Sequence, residues 1–182
     1  MDLLEELPPP VAHSKPRILV IRGGAIGDFI LTLPAIRLLR ENFPNAHLEI
    51  LGYRHIVALA EGRGYADATR SIEYGPMAGF FARNGTLAEE LSEYFSGFQQ
   101  VVSWLFDPDG IFEANLRRSG VKNLIKAFAK IDDGIHATRQ LARPLESLAL
   151  YLVNQWSTVL PSRRGERPPG PLHWLRYDAW FD

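Results

Sequence analysis

The stretch that decides the fold is Arg17-Ile-Leu-Val-Ile-Arg22, followed directly by Gly23-Gly-Ala-Ile-Gly-Asp28. The first segment is a short continuous apolar run, which is typical of a β-strand buried on both faces. The glycine turn then leads into apolar residues at helical spacing, among them Ile30, Leu33 and Leu38. Strand, turn and helix together predict the first βα unit of a mostly parallel sheet.

Segments of strand length and helix length continue to alternate along the chain. Further strands are predicted at 47–52, 69–74, 101–106 and 124–131. Helices are predicted at 54–61, 86–95, 111–118 and 136–153, and 75–85 is either a loop or a broken helix. This alternation predicts an α/β fold, a Rossmann-like and mostly parallel sheet with helices on both faces.

Local signals mark the ends of three of these helices. Thr86-Leu-Ala-Glu89 has the pattern of a capping box, in which threonine and glutamate satisfy backbone amides reciprocally. Gly120 suits the residue that follows a helix end. Pro144 predicts an interruption of the last helix, because proline lacks the amide that a helix interior needs.

Pro34 leaves two interpretations of the helix that follows the glycine turn. If the helix starts at Asp28, Pro34 removes one backbone hydrogen bond inside it and should kink it. Alternatively, a first turn ends near Leu31 and the main helix begins around Thr32, which places the proline in the tolerated first turn. In both interpretations the helix ends near Asn42-Phe43-Pro44.

Composition divides the chain into three parts. Residues 1–15 begin acidic and become Pro-rich, which predicts a flexible N-terminal extension. Residues 16–155 carry the alternating pattern and are predicted to form one Rossmann-like domain. Residues 156–182 form a Pro/Arg-rich tail, since 161–171 alone contain four prolines and three arginines. This tail either packs loosely on its own domain or begins an interdomain connection.

The composition also excludes several kinds of site. The chain has no cysteine, so it lacks disulfides, thiolate nucleophiles and thiolate metal ligands. Its five histidines are scattered without the spacing of two ligands on one helix face, and we predict no metal site. A net charge of −1 gives no general attraction to nucleic acid.

The sequence carries no secretory signal and no apolar run of roughly 20 residues. These features predict a cytoplasmic protein without a transmembrane segment, and they leave contact with a membrane surface open.

The glycine turn lies at the carboxyl end of the first strand, where ligands of open α/β folds collect. It is not a dinucleotide fingerprint, because Ala25 takes the place of the second glycine. Nor is it a P-loop, because Gly27 is followed by Asp28 and not by lysine. A carboxylate here would repel a phosphate, so Asp28 favours a site that needs a base. Aspartate is also a favoured helix N-cap, worth about 1 kcal/mol over alanine, and both roles are compatible.

The run 17–37 resembles the opening of glycosyltransferase family 9, which contains the ADP-heptose:lipopolysaccharide heptosyltransferases. The shared features are a strand, a small-residue turn ending in Gly27-Asp28, and a Thr-x-Pro at 32–34. Residues 40–51 also fit, as the helix exit and second strand. Later, His136-Ala-Thr-Arg139 is similar to the family's histidine followed shortly by arginine.

The resemblance implies the N-terminal half of a GT-B glycosyltransferase, in which two Rossmann-like domains face each other across a cleft. It makes 16–155 the acceptor-side domain and 156–182 a truncated interdomain linker. Asp28 is then the base that takes the proton from the acceptor hydroxyl. The substrate-binding residues carried over with it are Gly23, Gly24, Ala25 and Gly27. Family members transfer a sugar, typically a heptose, to the lipopolysaccharide core or a related glycan, without a metal or another cofactor.

The family's second domain carries a glycine-rich His-Pro-Gly type segment for the nucleotide-sugar donor, and nothing in this chain matches it. We therefore expect an incomplete chain that meets a glycan or glycolipid acceptor and binds the donor only if a second domain is supplied. By itself it should be inactive. The alternatives are a non-catalytic Rossmann-like module that binds a nucleotide or sugar, and an inactive remnant. A phosphate-binding module should not carry Asp28 at this turn, which separates it from the enzyme.

Overall fold

The computed structural model describes residues 15–128, 131 and 134–152. Its strands are β1 (Arg17–Arg22), β2 (His47–Gly52), β3 (Ala68–Ser71), β4 (Gln100–Ser103) and β5 (Leu124–Lys126). They form one sheet in the order β3-β2-β1-β4-β5, and every neighbouring pair is parallel. The predicted α/β class and parallel sheet are confirmed, and β1 lies at the centre.

Helices connect the strands. The α-helices are α1 (Ile26–Asn42), α2 (Arg54–Val57), α3 (Glu89–Ser96), α4 (Ile111–Arg118) and α5 (Ala137–Ala142). Short 3-10 helices cover Ala58–Ala60, Gly75–Phe81 and Arg143–Leu148. The chain builds outward from β1 to β3 and then returns to place β4 on the other side of β1. The strand order therefore reverses between β1 and β4, and open α/β sheets bind ligands at the carboxyl ends of strands at such a point.

Each face of the sheet has its own hydrophobic cluster, because successive side chains of a strand point to opposite faces. Ile18 and Val20 of β1 join one cluster, together with side chains of α1 and α5. Leu19 and Ile21 join the other, together with side chains of α3 and α4. Burial on both faces explains the continuous apolar run of β1 and confirms that helices cover both sides.

α1 runs without a break over Ile26–Asn42 and contains Pro34. The alternative of two helical segments that meet near Leu31 is therefore wrong, and the helix begins before Asp28. Because Pro34 lacks an amide hydrogen, the carbonyl of Ile30 loses the partner it would have four residues later. Pro34 and its two neighbours are buried, so burial of apolar surface against the sheet outweighs the cost of that missing bond.

The predicted capping box at 86–89 is wrong. α3 begins only at Glu89, its N-cap is Ala88, and no side chain caps its amides. The carbonyl oxygen of Thr86 lies so close to Gly79 that an added Cβ there would be 2.1 Å from it. The backbone of Thr86 is thus packed against the 3-10 helix Gly75–Phe81, and this tertiary contact overrides the local capping signal.

β3, β4 and β5 end earlier than predicted. The last paired residue of β3 is Ser71, opposite Gly52 at the end of β2. β4 pairs with β1 as far as Ser103, and β5 pairs with β4 as far as Lys126. A strand is paired only as far as its neighbour extends. The sequence pattern therefore placed the ends of all three strands too far along the chain.

Other boundaries agree with the sequence. α4 covers the predicted 111–118, and Gly120 follows its end with a φ of 99°. The last helix changes at Arg143 from α to 3-10 geometry, which confirms the interruption at Pro144. Pro144 has no amide hydrogen to donate to the carbonyl of Gln140 four residues earlier, which explains why the α-type hydrogen bonds stop here.

The predicted tail at 156–182 and all of the N-terminal extension except Lys15 lie outside the described residues. The division of the chain into three parts therefore stays a prediction. Within the described ranges, no helix is both long enough and apolar enough to cross a membrane.

Candidate functional site

The turn between β1 and α1 lies at the carboxyl edge of the sheet, beside the reversal of strand order. Gly24 has a φ of 93°, a conformation that residues with a side chain rarely adopt. Gly27 instead lies inside the first turn of α1, and a Cβ there would meet no atom within 4 Å. Of these two glycines, Gly24 therefore has a positive φ, while Gly27 has helical geometry and open space beside it.

Gly23 allows β1 and the segment after β4 to approach each other closely. A Cβ on Gly23 would lie 2.5 Å from Cδ1 of Leu105, so the leucine would have to move. Leu105 follows β4 by two residues, and the amide of Trp104 between them donates to the carbonyl of Ile21 at 2.8 Å. The glycine turn and the end of β4 therefore form one continuous surface at the reversal point.

Asp28 is not the N-cap of α1. The N-cap is Ala25, which has extended backbone and no side-chain acceptor, and Asp28 is the third residue of the helix. Its Oδ2 accepts a hydrogen bond from the amide of Ala25 at 3.2 Å. The carboxylate therefore stabilises the helix start from inside the first turn, and 44% of the side chain stays exposed.

Arg22 is a buried cation next to this carboxylate, with only 6% of its side chain exposed. Its Nε donates to Oγ1 of Thr32 and its Nη1 donates to the carbonyl of Trp104, each at 3.0 Å. Its Nη2 lies 3.8 Å from Oδ1 of Asp28. Burial lowers the pKa of the Arg22 guanidinium, and the negative charge of Asp28 opposes that effect.

Sequence reasoning recognised Arg22 only as the end of a strand and missed its place in the site. A charged residue at the end of a buried strand, directly before a glycine turn, was the available signal. Its two acceptors are 10 and 82 residues away, so no local pattern could name them.

His136 and Arg139 are not brought to Asp28 by any described contact. His136 is the N-cap of α5, where its Nδ1 accepts from the amide of Thr138 at 3.3 Å. Arg139 is exposed. The indole of Trp104 donates to the carbonyl of Leu141 at 3.0 Å, which ties α5 to the end of β4. The structure thus gives His136 a capping role.

A crevice opens beyond β4 and β5 on the same edge. It is lined by Ser103, Leu105, Asp107, Phe112, Glu113, Leu116, Leu124 and Lys126. Asp107 begins the turn Asp107-Pro-Asp-Gly110 and caps α4, because its two oxygens accept from the amides of Phe112 and Glu113 at 3.2 and 2.9 Å. Glu113 pairs with Lys126 at 3.4 Å. Both carboxylates are thus engaged in local structure, as the Asp28 carboxylate is through the amide of Ala25.

Among the described residues, no group of three or more histidines, aspartates or glutamates is arranged to hold a metal ion. The polar groups at the carboxyl end of β1 are a carboxylate, a guanidinium and backbone amides. Their chemistry is that of a base with a neighbouring cation.

These features define a Rossmann-like α/β domain with a solvent-accessible carboxylate at the carboxyl end of its central strand. No protein-family model matches the sequence, and neither does any curated protein. Among solved structures, the chain is similar to a glycosyl transferase family 9 protein from Veillonella parvula DSM 2008. The two share 17% identity and a TM-score of 0.55, over 74% of this chain and 42% of that chain.

The chain is also similar to the E. coli heptosyltransferase WaaC solved with ADP, at 16% identity over 76% of this chain and 48% of that chain. Its TM-score of 0.49 is too low to support an argument. The chain spans less than half the length of either relative. Identity this low establishes the fold alone, so the α/β fold implied by the resemblance to family 9 is confirmed.

Proposed function

We propose that this chain is the acceptor-side domain of a glycosyltransferase and that Asp28 is its general base. The observation that carries the proposal is a half-exposed carboxylate at the carboxyl end of the central strand, beside a positive-φ glycine. The acceptor is a hydroxyl of the lipopolysaccharide core or of a related glycan or glycolipid. The donor is a nucleotide-activated sugar, typically a heptose.

The reaction needs a base because a sugar hydroxyl is a weak nucleophile until its proton is being removed. Asp28 takes that proton as the hydroxyl oxygen forms a bond to the anomeric carbon of the donor. The bond between that carbon and the nucleotide phosphate breaks, and the nucleotide leaves with the electron pair. Within the described part of the chain, one amide donates to the Asp28 carboxylate, which leaves lone pairs on both oxygens for the proton.

The glycine turn suits a substrate that lies against the backbone. Open space surrounds the Cβ position of Gly27, on the turn of helix that carries Asp28. The Cβ position of Gly24 is instead 2.8 Å from Oδ2 of Asp28, so a side chain there would displace the base. Gly23 and Ala25 complete the proposed acceptor contact.

A phosphate is a poor ligand for this turn. Phosphate sites at helix starts use free backbone amides and the positive end of the helix dipole. Here the amide of Ala25 already donates to Asp28, whose negative charge faces the same space. The alternative of a non-catalytic nucleotide-binding module is therefore disfavoured at this turn. In this proposal the donor nucleotide binds to a second domain, as the resemblance to family 9 implies.

Acceptor binding can be tested on the isolated chain by NMR. We expect a lipopolysaccharide inner-core oligosaccharide to shift the backbone amide signals of residues 23–28. ADP serves as the matched control and should leave these signals in place. Shifts caused by ADP and not by the oligosaccharide would contradict the proposal, as would an oligosaccharide that shifts only distant amides.

A further inference from the structure

The guanidinium of Arg22 is anchored independently of Asp28. One acceptor is Thr32 on α1 and the other is the backbone carbonyl of Trp104 after β4, both at 3.0 Å. Thr32 is itself held in place, because its hydroxyl donates to the backbone carbonyl of Asp28, and not to its carboxylate, at 2.7 Å. Only 6% of the arginine side chain is exposed. The fold therefore holds this positive charge at one position at the end of β1.

The carboxylate of Asp28 is the less constrained partner. Its nearest approach to Arg22 is 3.8 Å, beyond the range of a hydrogen bond. A carboxylate that satisfies a buried guanidinium normally lies at about 2.7–2.9 Å from it. Among the described residues, Asp28 is the one carboxylate that forms an ion pair with Arg22. The cation thus attracts Asp28 without using it as a hydrogen-bond acceptor.

We propose that Arg22 is a positioning residue for Asp28. Its fixed charge holds the carboxylate over the Gly24 turn, and the amide of Ala25 fixes the second oxygen. At 3.8 Å the attraction orients the carboxylate and leaves the lone pairs of Oδ1 available to an acceptor hydroxyl. The orienting role rests on the geometry alone, whereas its catalytic consequence rests on the proposed function.

The competing explanation is an ordinary structural ion pair in which Asp28 serves to neutralise Arg22. The two explanations differ in which partner depends on the other. If Arg22 positions Asp28, removing the carboxylate leaves the arginine in place, while removing the arginine releases the carboxylate. If Asp28 instead neutralises Arg22, removing the carboxylate should leave the arginine side chain in several conformations.

The first measurement uses Asp28→Asn and the NMR signal of the Arg22 Nε–H group. Asparagine keeps the size of the side chain and removes its charge. We expect the hydrogen-exchange rate of this group to stay within about threefold of the parent rate, because Thr32 still accepts its hydrogen bond. An increase of tenfold or more would overturn the proposal.

The second measurement uses Arg22→Gln and reads the side-chain rotamer of Asp28 from three-bond couplings. The parent should show one dominant rotamer, and the variant should show averaging together with a shifted Ala25 amide signal. Arg40→Gln is the matched control, since Arg40 pairs with Asp67 at 2.5 Å near the other end of α1. A single Asp28 rotamer in folded Arg22→Gln would overturn the proposal. If Arg22→Gln does not fold, the Asp28→Asn measurement decides alone.

Failure of the positioning role and failure of the proposed function give different results. In an assembly competent for transfer, we expect Arg22→Gln to lower kcat about tenfold or more with little change in KM, because a misplaced base slows the reaction. Averaged Asp28 rotamers with unchanged kcat would overturn the catalytic part of the positioning role. Asp28→Asn with full transfer activity would instead refute the general base, while the two NMR results would stand.

Discussion

The sheet carries an arginine-carboxylate group toward each of its two ends, and the two groups are built differently. At the carboxyl end, Asp28 is 44% exposed and lies 3.8 Å from Arg22. Toward the amino end, Glu49 of β2 has only 1% of its side chain exposed. Glu49 accepts hydrogen bonds from the guanidinium of Arg70 and from the hydroxyl of Tyr94, and it also pairs with Arg17.

The difference shows which carboxylate is available for chemistry. The partners of Glu49 surround it, and the Arg17 guanidinium also lies 4.1 Å above the ring of Phe98. A buried charge must be paired and hydrogen-bonded in this way, or its burial is too costly. Asp28 instead is 44% exposed and, among the residues that the structure describes, accepts one hydrogen bond, from the amide of Ala25. We therefore expect the Glu49 cluster to contribute stability, and the exposure of Asp28 fits the general-base role proposed for it.

The largest effect is expected for Asp28→Asn on sugar transfer. On the proposed function, the isolated chain should transfer nothing from ADP-heptose, because no segment of the sequence matches the family's donor-binding motif. A complementary second domain should restore transfer, and Asp28→Asn should then lower the rate by about 10²- to 10⁴-fold, the usual cost of losing a general base. The assay is transfer of labelled sugar to a lipopolysaccharide-core acceptor.

The stability of Asp28→Asn serves as the control for that assay. Asparagine can still accept from the Ala25 amide, so we expect the denaturant midpoint to change little. Robust transfer by the isolated chain would contradict the expectation that the donor binds only when a second domain is supplied. An asparagine variant as active as the parent would reduce Asp28 to a residue that stabilises the helix start.

The next effect is the loss of stability in Glu49→Gln. The substitution leaves Arg17 and Arg70 without their buried counter-charge, and breaking a buried pair typically costs about 3–5 kcal/mol. Glu41→Gln is the matched control, because Glu41 pairs with Arg37 at 2.7 Å but is 58% exposed. That exposed pair should contribute less than about 1 kcal/mol. Urea unfolding of both variants checks the prediction, and equal losses would contradict the expected contribution of the Glu49 cluster.

The Glu49 cluster also predicts a loss of stability at high pH. Burial raises the pKa of Tyr94 well above its usual value, and the neighbouring Glu49 adds to the effect. A group whose pKa is higher in the folded state binds its proton more tightly there. Its contribution is complete below about pH 10, the pKa in the unfolded chain, and is lost as the pH rises through the folded value.

Tyr94→Phe should therefore weaken the decline in unfolding free energy above about pH 10, by up to about 1.4 kcal/mol per pH unit. At neutral pH the variant loses the hydrogen bond to Glu49, at a cost of about 1 kcal/mol. Tyr53→Phe is the control, since it removes the same hydroxyl group from a side chain that is 37% exposed. Identical high-pH slopes in the parent and in Tyr94→Phe would exclude this role.

The smallest effects distinguish the two glycines of the Asp28 site. Gly24→Ala should destabilise the fold by about 1 kcal/mol or more, because the left-handed conformation strains a residue with a Cβ. Gly27 lies in α1 and has free space around its Cβ position. Gly27→Ala should therefore stabilise the helix by up to about 1 kcal/mol. Denaturant midpoints that move in the same direction for both would contradict the geometry of the turn.

The sequence by itself determined the central strand, the glycine turn and the helix after it, because these depend on neighbouring residues. A continuous apolar run needs burial on both faces, and Gly24 permits a backbone that other residues avoid. The position of Asp28 near the helix start followed from the same stretch. The sequence also placed α4 at 111–118, with Gly120 just after its end.

Only the tertiary structure decided the surroundings of the charged residues and the ends of several elements. Thr32 and the Trp104 carbonyl reach Arg22 because α1 and β4 both pack beside β1. Tyr94 reaches Glu49 across 45 residues of sequence. α3 begins at Glu89 because the preceding segment packs against a distant 3-10 helix. Sequence patterns report local preference, whereas the partners of a buried charge are set by which elements the core brings together.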